Sequence, residues 1–307
     1  MALRYERMAL LAGVESSYGV DVTPTAAVQL KDVTFDIMEG DEVEVDVLRT
    51  GMSSKITAFF GRHCSLKGKI LLGSSGTAGT APAWDWLAQA TGHAATVTED
   101  TKVEYTPIDT GFKSASTYFN IEGNRTRALG MRGNIIWRWT VGGFPEAEFD
   151  LLGLFDADAS VSFPSVDYSG WKVPPLFGKA QAPVFQIASN DEVLQSLEIN
   201  AGISKEYVNR INREDIEIGD RKPTMTAVIQ EPAFSTRNYF SAVGIPGTYK
   251  TMAMTHGTVG GAKILAAATN WQLGKPSRQK LGNNVGLSLP GRLIPASGVA
   301  DYKITVM

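Results

Sequence analysis

Alternation of apolar and polar residues is the main pattern along the chain. It predicts β-strands, because successive side chains of a strand point to opposite faces. In residues 30–48 we expect two strands around Gly40, and in the second of them valines alternate with carboxylates. Such a segment predicts a sheet with one buried and one wet face. The wet face is either an ordinary solvated surface or a deliberately acidic one.

A second alternating pair surrounds Gly142-Gly143, a dipeptide typical of tight hairpins. Trp137 and Trp139 alternate with other residues before it, and residues 147–151 alternate after it. We expect both tryptophans to face the core.

One stretch, residues 78–92, departs from this alternation and predicts a short helix. Trp84 and Leu87 are three residues apart and share one helix face. Thr80 suits the N-cap, and Gly92 suits the position that ends a helix. Because so short a helix is not stable alone, we expect Trp84 and Leu87 to be core residues that hold it on the strands.

The order of elements indicates two halves. Residues 156–183 are rich in proline and predict a connecting segment. The second half repeats the order of the first: strands, a polar interval and then a helix. Phe240 and Val243 are expected on one face of this second helix. A divergent duplication and an unrelated second β-domain are both compatible with this order.

We therefore predict a mainly β chain of two tandem β-sandwich or barrel domains, each with one short α-helix. The predicted divisions are 1–29 for an extended N-terminal arm or a disordered tail, 30–155 for the first domain, 156–183 for the connection and 184–307 for the second domain.

Composition narrows the classes of function. The chain has 307 residues, 43% of them hydrophobic, which is sufficient for a packed core. A formal net charge of -3 gives no reason to expect a basic nucleic-acid-binding face. The single cysteine suits a reducing cytoplasm. We expect neither a signal peptide nor a membrane span, since no apolar run approaches about 18 residues.

Candidate chemistry is scarce. The three histidines lack partners at metal-ligand spacing. His63 and Cys64 are neighbours on a predicted strand and point to opposite faces, so they do not predict a catalytic dyad. The glycine-rich stretch 73–79 lacks the Gly-Lys-Ser/Thr ending of a phosphate loop. We predict no enzyme activity, no metal site and no cofactor.

Two segments resemble a known family. Residues 79–84, Gly-Thr-Ala-Pro-Ala-Trp, precede the predicted helix, and residues 15–26 read Glu-Ser-Ser-Tyr-Gly-Val-Asp-Val-Thr-Pro-Thr-Ala. Both are similar to segments of the tail tube (major tail) proteins of long-tailed bacteriophages, and they occur in the same order. They cover a small part of the chain.

The resemblance implies two tube-type domains in a structural virion protein, which is assembled in the host cytoplasm and located in the tail. Subunits of that family form stacked rings whose inner sheets join into a channel. Double-stranded DNA passes through it during ejection without specific binding. Implied partners are other copies of the chain, a tape measure protein and tail completion or tip proteins. Our preferred ring is a trimer with pseudo-sixfold symmetry; the alternative is a hexamer with one tube domain per chain and a decorating domain.

A carboxylate-rich channel wall would repel DNA, which carries about one charge per 1.7 Å of axis. The predicted lumen-lining residues are Glu42, Glu44, Asp46, Glu214, Asp215 and Glu217. The predicted contacts between rings, from loops at 49–55 and 210–220, are Arg49, Met52, Lys55 and Arg213, together with the N-terminal arm.

The competing class is a β-sandwich module that decorates a tail or binds a receptor or carbohydrate. The aromatic residues Tyr168 and Trp171 fit such a surface, and they fit equally well as anchors of the connecting segment. Assembly state separates the two classes, because a binding module remains a small discrete oligomer.

Overall fold

The computed structural model describes residues 4, 7–48, 50–243, 247–296, 298 and 300–307, and these residues are mainly β. The elements before the connecting segment are β1 (Met8–Val14), β2 (Ala27–Val28), β3 (Lys31–Glu44), β4 (Thr57–Leu71), α1 (Asp85–Ala90), β5 (His93–Thr98), β6 (Lys102–Pro107), β7 (Ala115–Ile121), β8 (Asn124–Thr140) and β9 (Glu146–Ser160). Those after it are β10 (Val184–Ile187), β11 (Asn190–Asp191), β12 (Leu194–Asn200), β13 (Ile203–Arg210), β14 (Arg213–Arg221), β15 (Thr224–Gln230), a 3-10 helix (Phe240–Ala242), β16 (Lys250–His256), β17 (Ile264–Leu273), β18 (Ser277–Leu281), β19 (Asn284–Leu293) and β20 (Tyr302–Val306).

Eight strands form one antiparallel run, which we call the central sheet. Their order is β3, β4, β9, β8, β12, β15, β19, β18. Alternation places Trp137 and Trp139 on its buried face, together with Phe149 and Leu197. The other face is polar and partly exposed, as expected for a sheet covered on one side.

The central sheet contains the same pairing order twice. The first unit is β3–β4–β9–β8 and the second is β12–β15–β19–β18. In each unit the last two strands (β9–β8 and β19–β18) form a hairpin with a short turn. The first two strands (β3–β4 and β12–β15) are the arms of a longer hairpin. In the second unit that longer hairpin is interrupted, since β12 continues into β13 and β14 leads into β15. The units meet where β8 pairs with β12.

A second layer covers the buried face. It contains α1 and the run β5, β6, β20, β17, β16, β10. Trp137 makes edge contacts with Trp84, at 5.5 Å between ring centroids, and with His93, at 5.8 Å. One hydrophobic core contains residues from both sides of the connecting segment.

The first predicted helix is present but shorter than expected. It begins at Asp85, with Trp84 at the N-cap, so the N-cap expected at Thr80 is wrong. The Trp84 indole donates to the carbonyl of Gly73 at 2.7 Å, and both Trp84 and Leu87 are buried. Gly92 follows the helix with a φ of 70°, a conformation suited to glycine.

The second predicted α-helix is wrong for the described residues. Only a 3-10 turn is present, at Phe240–Ala242. Ser235, Thr236 and Asn238 explain this difference, because such side chains favour turns over helix interiors.

Strand lengths also differ from the prediction. The two strands expected in residues 30–48 are one strand, β3, with a register shift between Glu39 and Asp41 that absorbs Gly40. β9 continues to Ser160, five residues into the predicted connection.

The N-terminal segment lies on its own chain rather than forming a free arm. β1 pairs along its length with β7, and Leu10 and Ala12 are buried. Glu15 is buried too, because its carboxylate accepts hydrogen bonds from Ser114, Ser116 and two backbone amides. These bonds satisfy a charge that would otherwise be costly to bury.

Within the described residues, no helix has the length and apolar character needed to cross a membrane.

Candidate assembly surface

The distal part of the β3–β4 hairpin, residues 36–60, projects beyond the rest of the central sheet. We call it the first hairpin tip. β9 pairs with β4 only from His63 to Leu71, so among the described strands the earlier residues of β4 pair with β3 alone. Val43 and Phe60 are each 54% exposed. The expectation that the valines at 43, 45 and 47 face a core is therefore wrong. Alternation gives the tip two faces, but among the described residues no further strand covers either face of the tip.

The predicted carboxylates of this tip are exposed. The ammonium of Lys55 lies 3.4 Å from Glu44 and 2.5 Å from Asp46. Glu42 makes no ion pair within the described residues, and it lies opposite Phe59. The sequence of the tip contains six carboxylates and two basic residues, so it combines apolar side chains with an excess of negative charge.

The β13–β14 hairpin lies beside the base of the first hairpin tip. The Tyr207 ring stacks on the His63 ring, with centroids 4.4 Å apart and planes inclined by 12°. Gly61 fits closely against Tyr207, and a Cβ there would lie 3.0 Å from the ring. A cleft of about 560 Å³ separates the hairpins.

The predicted carboxylates of β14 are largely engaged within the hairpin. Glu214 accepts a hydrogen bond from the Tyr207 hydroxyl at 2.6 Å. Arg213 binds Asp215 at 2.8 Å and Glu217 at 2.6 Å. Hydrogen bonding and burial raise the pKa of Tyr207 to about 12, with burial the larger cause.

The N-terminal segment anchors β14 from the opposite side. The backbone amide of Ile216 donates to the Tyr18 hydroxyl at 2.6 Å. The Arg132 guanidinium lies 4.2 Å from the centre of the Tyr18 ring and donates to the Ile216 carbonyl. Burial raises the pKa of Tyr18 to about 12, so it acts as a neutral phenol. The N-terminal segment and Arg132 therefore fix this hairpin to the body.

Three of the four residues predicted to contact neighbouring rings lie on these hairpins. Met52 is fully exposed, Lys55 bridges two carboxylates, and Arg213 is exposed near the β13–β14 turn. Arg49 lies outside the described residues.

The polar face of the central sheet was not among the predicted site residues. Here Arg138 lies 3.2 Å from Glu148 and 3.4 Å from Glu198. Lys31 binds Glu146, and Lys205 binds Asp150. The alternation in β9 predicts that its carboxylates share one face. It does not predict their basic partners, because these lie on strands that are distant in the sequence.

The neighbouring residues His63 and Cys64 lie in different surroundings. His63 faces Tyr207, while Cys64 is fully buried and burial raises its pKa to about 12. Among the described residues, no cluster of three or more potential ligands could hold a metal ion.

The chain matches no protein-family profile. It likewise matches none of the curated proteins.

Proposed function

We propose that this chain is a structural protein that polymerises into stacked rings, forming the tail tube of a long-tailed bacteriophage. The observation that carries the proposal is the repeated four-stranded unit. Two such units lie side by side in one open antiparallel sheet. In the proposed ring each unit is one tube-type domain, so three chains contribute six units around a pseudo-sixfold axis.

The polar face of the central sheet supports a channel role. Its carboxylates are paired with lysine and arginine, so few unpaired cations are available to bind DNA phosphates. Together with Glu42 on the first hairpin tip, this face would form a wall along which DNA slides. We propose that double-stranded DNA passes it without specific binding, with tape measure and tail tip proteins as further partners.

The first hairpin tip supports contacts between rings. It exposes valine, phenylalanine and methionine side chains that nothing in the described chain covers. Exposed apolar clusters of this kind mark interaction sites.

The binding-module alternative gains little from its two aromatic residues. The Trp171 indole donates to the Ala27 carbonyl at 2.7 Å, and Tyr168 packs against the cluster that contains Leu11 and Tyr118. Both side chains thus anchor the connecting segment to its own chain.

A concentration series tests the proposal. Sedimentation velocity and negative-stain electron microscopy of the purified protein should show hollow tubes that lengthen with concentration. Compact particles at every concentration would overturn it in favour of the binding module.

A further inference from the structure

Both edge strands of the central sheet have one side without a strand partner. β3 forms one edge and pairs only with β4, and β18 forms the other edge and pairs only with β19, as far as the structure describes the chain. Unpaired edges expose rows of backbone donors and acceptors that readily accept another strand. Within the chain, the two four-stranded units already pair edge to edge, and we call this contact between units a joint.

That internal joint is the β8–β12 pair. It unites the last strand of the first unit with the first strand of the second unit, and Arg138 lies opposite Glu198. β18 and β3 occupy the corresponding positions, as the last strand of the second unit and the first strand of the first unit. The repeated order thus leaves the same joint available between two copies.

We derive a register for that external joint by matching the last paired residues of the two middle strands in each unit, Leu71 with Glu146 and Gln230 with Gly286. Ile70 faces Ala147 in the first unit, and Ile229 faces Leu287 in the second, both on the buried face. With these two pairs superposed, Thr226 matches Lys67. Since Glu198 lies opposite Thr226 and Thr34 lies opposite Lys67, Thr34 takes the place of Glu198.

The same superposition locates the partner of Thr34. Arg138 lies opposite Glu146 in the first unit, and Glu146 matches Gly286. Gly286 lies opposite Gln279, so Gln279 takes the place of Arg138. Thr34 and Gln279 are both exposed on the polar face.

The charges of the two edges are complementary. Residues 277–281 contain Arg278 and Lys280 and no acidic residue, whereas residues 32–36 contain Asp32 and Asp36 and no basic one. In the derived register Arg278 lies opposite Phe35 and Lys280 lies opposite Val33, so these basic side chains point to the other face of the sheet from Asp36, and the two edges attract one another by their overall charge rather than by direct pairs. Within the chain, Arg278 already binds Glu231 and Asp32 already binds Lys69. Lys280 and Asp36 make no ion pair elsewhere in the described chain. Complementary edges favour association of unlike edges over like ones.

We propose that β3 of one copy pairs antiparallel with β18 of a second copy, with Thr34 opposite Gln279. This joint rests on the self-assembly proposed above and specifies its strands and register. Because it uses two different surfaces, it is heterologous and closes only as a ring.

Cysteine cross-linking tests the joint. Opposed residues of antiparallel strands have Cβ atoms about 4.5–5.5 Å apart, close enough for a disulfide after small adjustments. The double variant Thr34→Cys/Gln279→Cys, oxidised with copper–phenanthroline, should give dimers and a closed trimer on a non-reducing gel. A mixture of the two single variants should stop at dimers. The native protein, with its buried Cys64, and each single variant alone provide the background.

The matched control is Thr34→Cys/Thr226→Cys, since Thr226 lies on the same face but on an interior strand. Cross-linking as strong in this control as in the test variant would overturn the register. Hollow tubes without cross-links would overturn the joint and leave the proposed function intact. Cross-linked dimers without tubes would support the joint and count against the tube, and monomers without cross-links would overturn both.

Discussion

Arg138 on β8 lies directly opposite Glu198 on β12, and their charged groups are 3.4 Å apart at the line where the two four-stranded units meet. Behind this pair, on the buried face, Leu197 lies opposite Trp139. The joint therefore has a charged, solvated side and an apolar, buried side, and the two differ in their contributions to stability.

Stability at this joint should come mainly from the buried side. Both charged side chains are about 40% exposed, so Arg138→Gln should lower the free energy of unfolding by less than about 1 kcal/mol. Leu197→Ala should lower it by about 2–5 kcal/mol, because it creates a cavity. Urea unfolding measures both. A larger effect for Arg138→Gln would contradict this account of the joint.

Trp84 should be essential to the packing of α1. Trp84→Phe leaves the buried Gly73 carbonyl without its donor and shrinks the contact with Trp137, at a cost of about 1–3 kcal/mol for the carbonyl alone. The control is Trp171→Phe, which removes an equally short bond at a partly exposed site and should cost less. Equal losses in thermal unfolding would argue against a special role for the α1 contact.

His93 should make the protein less stable in acid. Burial lowers its pKa to about 4, from an ordinary value of about 6.5. Between these values the unfolded chain binds the proton and the folded chain does not. Its contribution to stability is therefore complete above pH 6.5 and is lost at up to about 1.4 kcal/mol per pH unit as the pH falls toward 4.

His93→Gln should reduce this slope even if it lowers stability overall, because glutamine does not titrate. Urea unfolding of both proteins at several pH values from 7 to 4 measures the difference. Identical slopes would show that the pKa of His93 is not lowered in the folded chain.

The first hairpin tip should matter for assembly and not for folding. Val43 and Phe60 lie on one face of the tip and are exposed, so Val43→Ser/Phe60→Ser should change the free energy of unfolding by less than about 1 kcal/mol. We expect the concentration needed for polymerisation to rise at least about tenfold, as loss of about 1.4 kcal/mol per contact would produce.

Val259→Ser is the control for the tip, since Val259 is 67% exposed on a loop after β16. Polymerisation is measured by sedimentation velocity. Normal tubes from the double serine variant, or an equal loss with Val259→Ser, would remove the tip from the contacts between rings.

Local sequence patterns predicted the elements whose neighbours are adjacent in the chain. Alternation identified β8 and β9 with Trp137 and Trp139 inward, and Gly92 correctly ended the first helix. The same alternation at Val43 gave the wrong environment, because exposure there depends on where β9 stops pairing with β4.

Distant pairing explains the other differences. The apolar run that begins at Met8 has only a two-residue partner nearby, β2, and the strand that pairs along its whole length, β7, follows about a hundred residues later. The polar face is similar, because Arg138 meets Glu198 through strands 60 residues apart. Which charges face each other across a sheet depends on its strand order, and single-sequence patterns do not contain that order.

Cryo-electron microscopy of the assembled protein tests the central claim most directly, because end-on views count the chains in each ring. The account predicts a hollow tube with three chains per ring, six similar wall units and the polar face toward the lumen. A ring of six chains would contradict two units per chain, and compact particles without a lumen would contradict the tube itself.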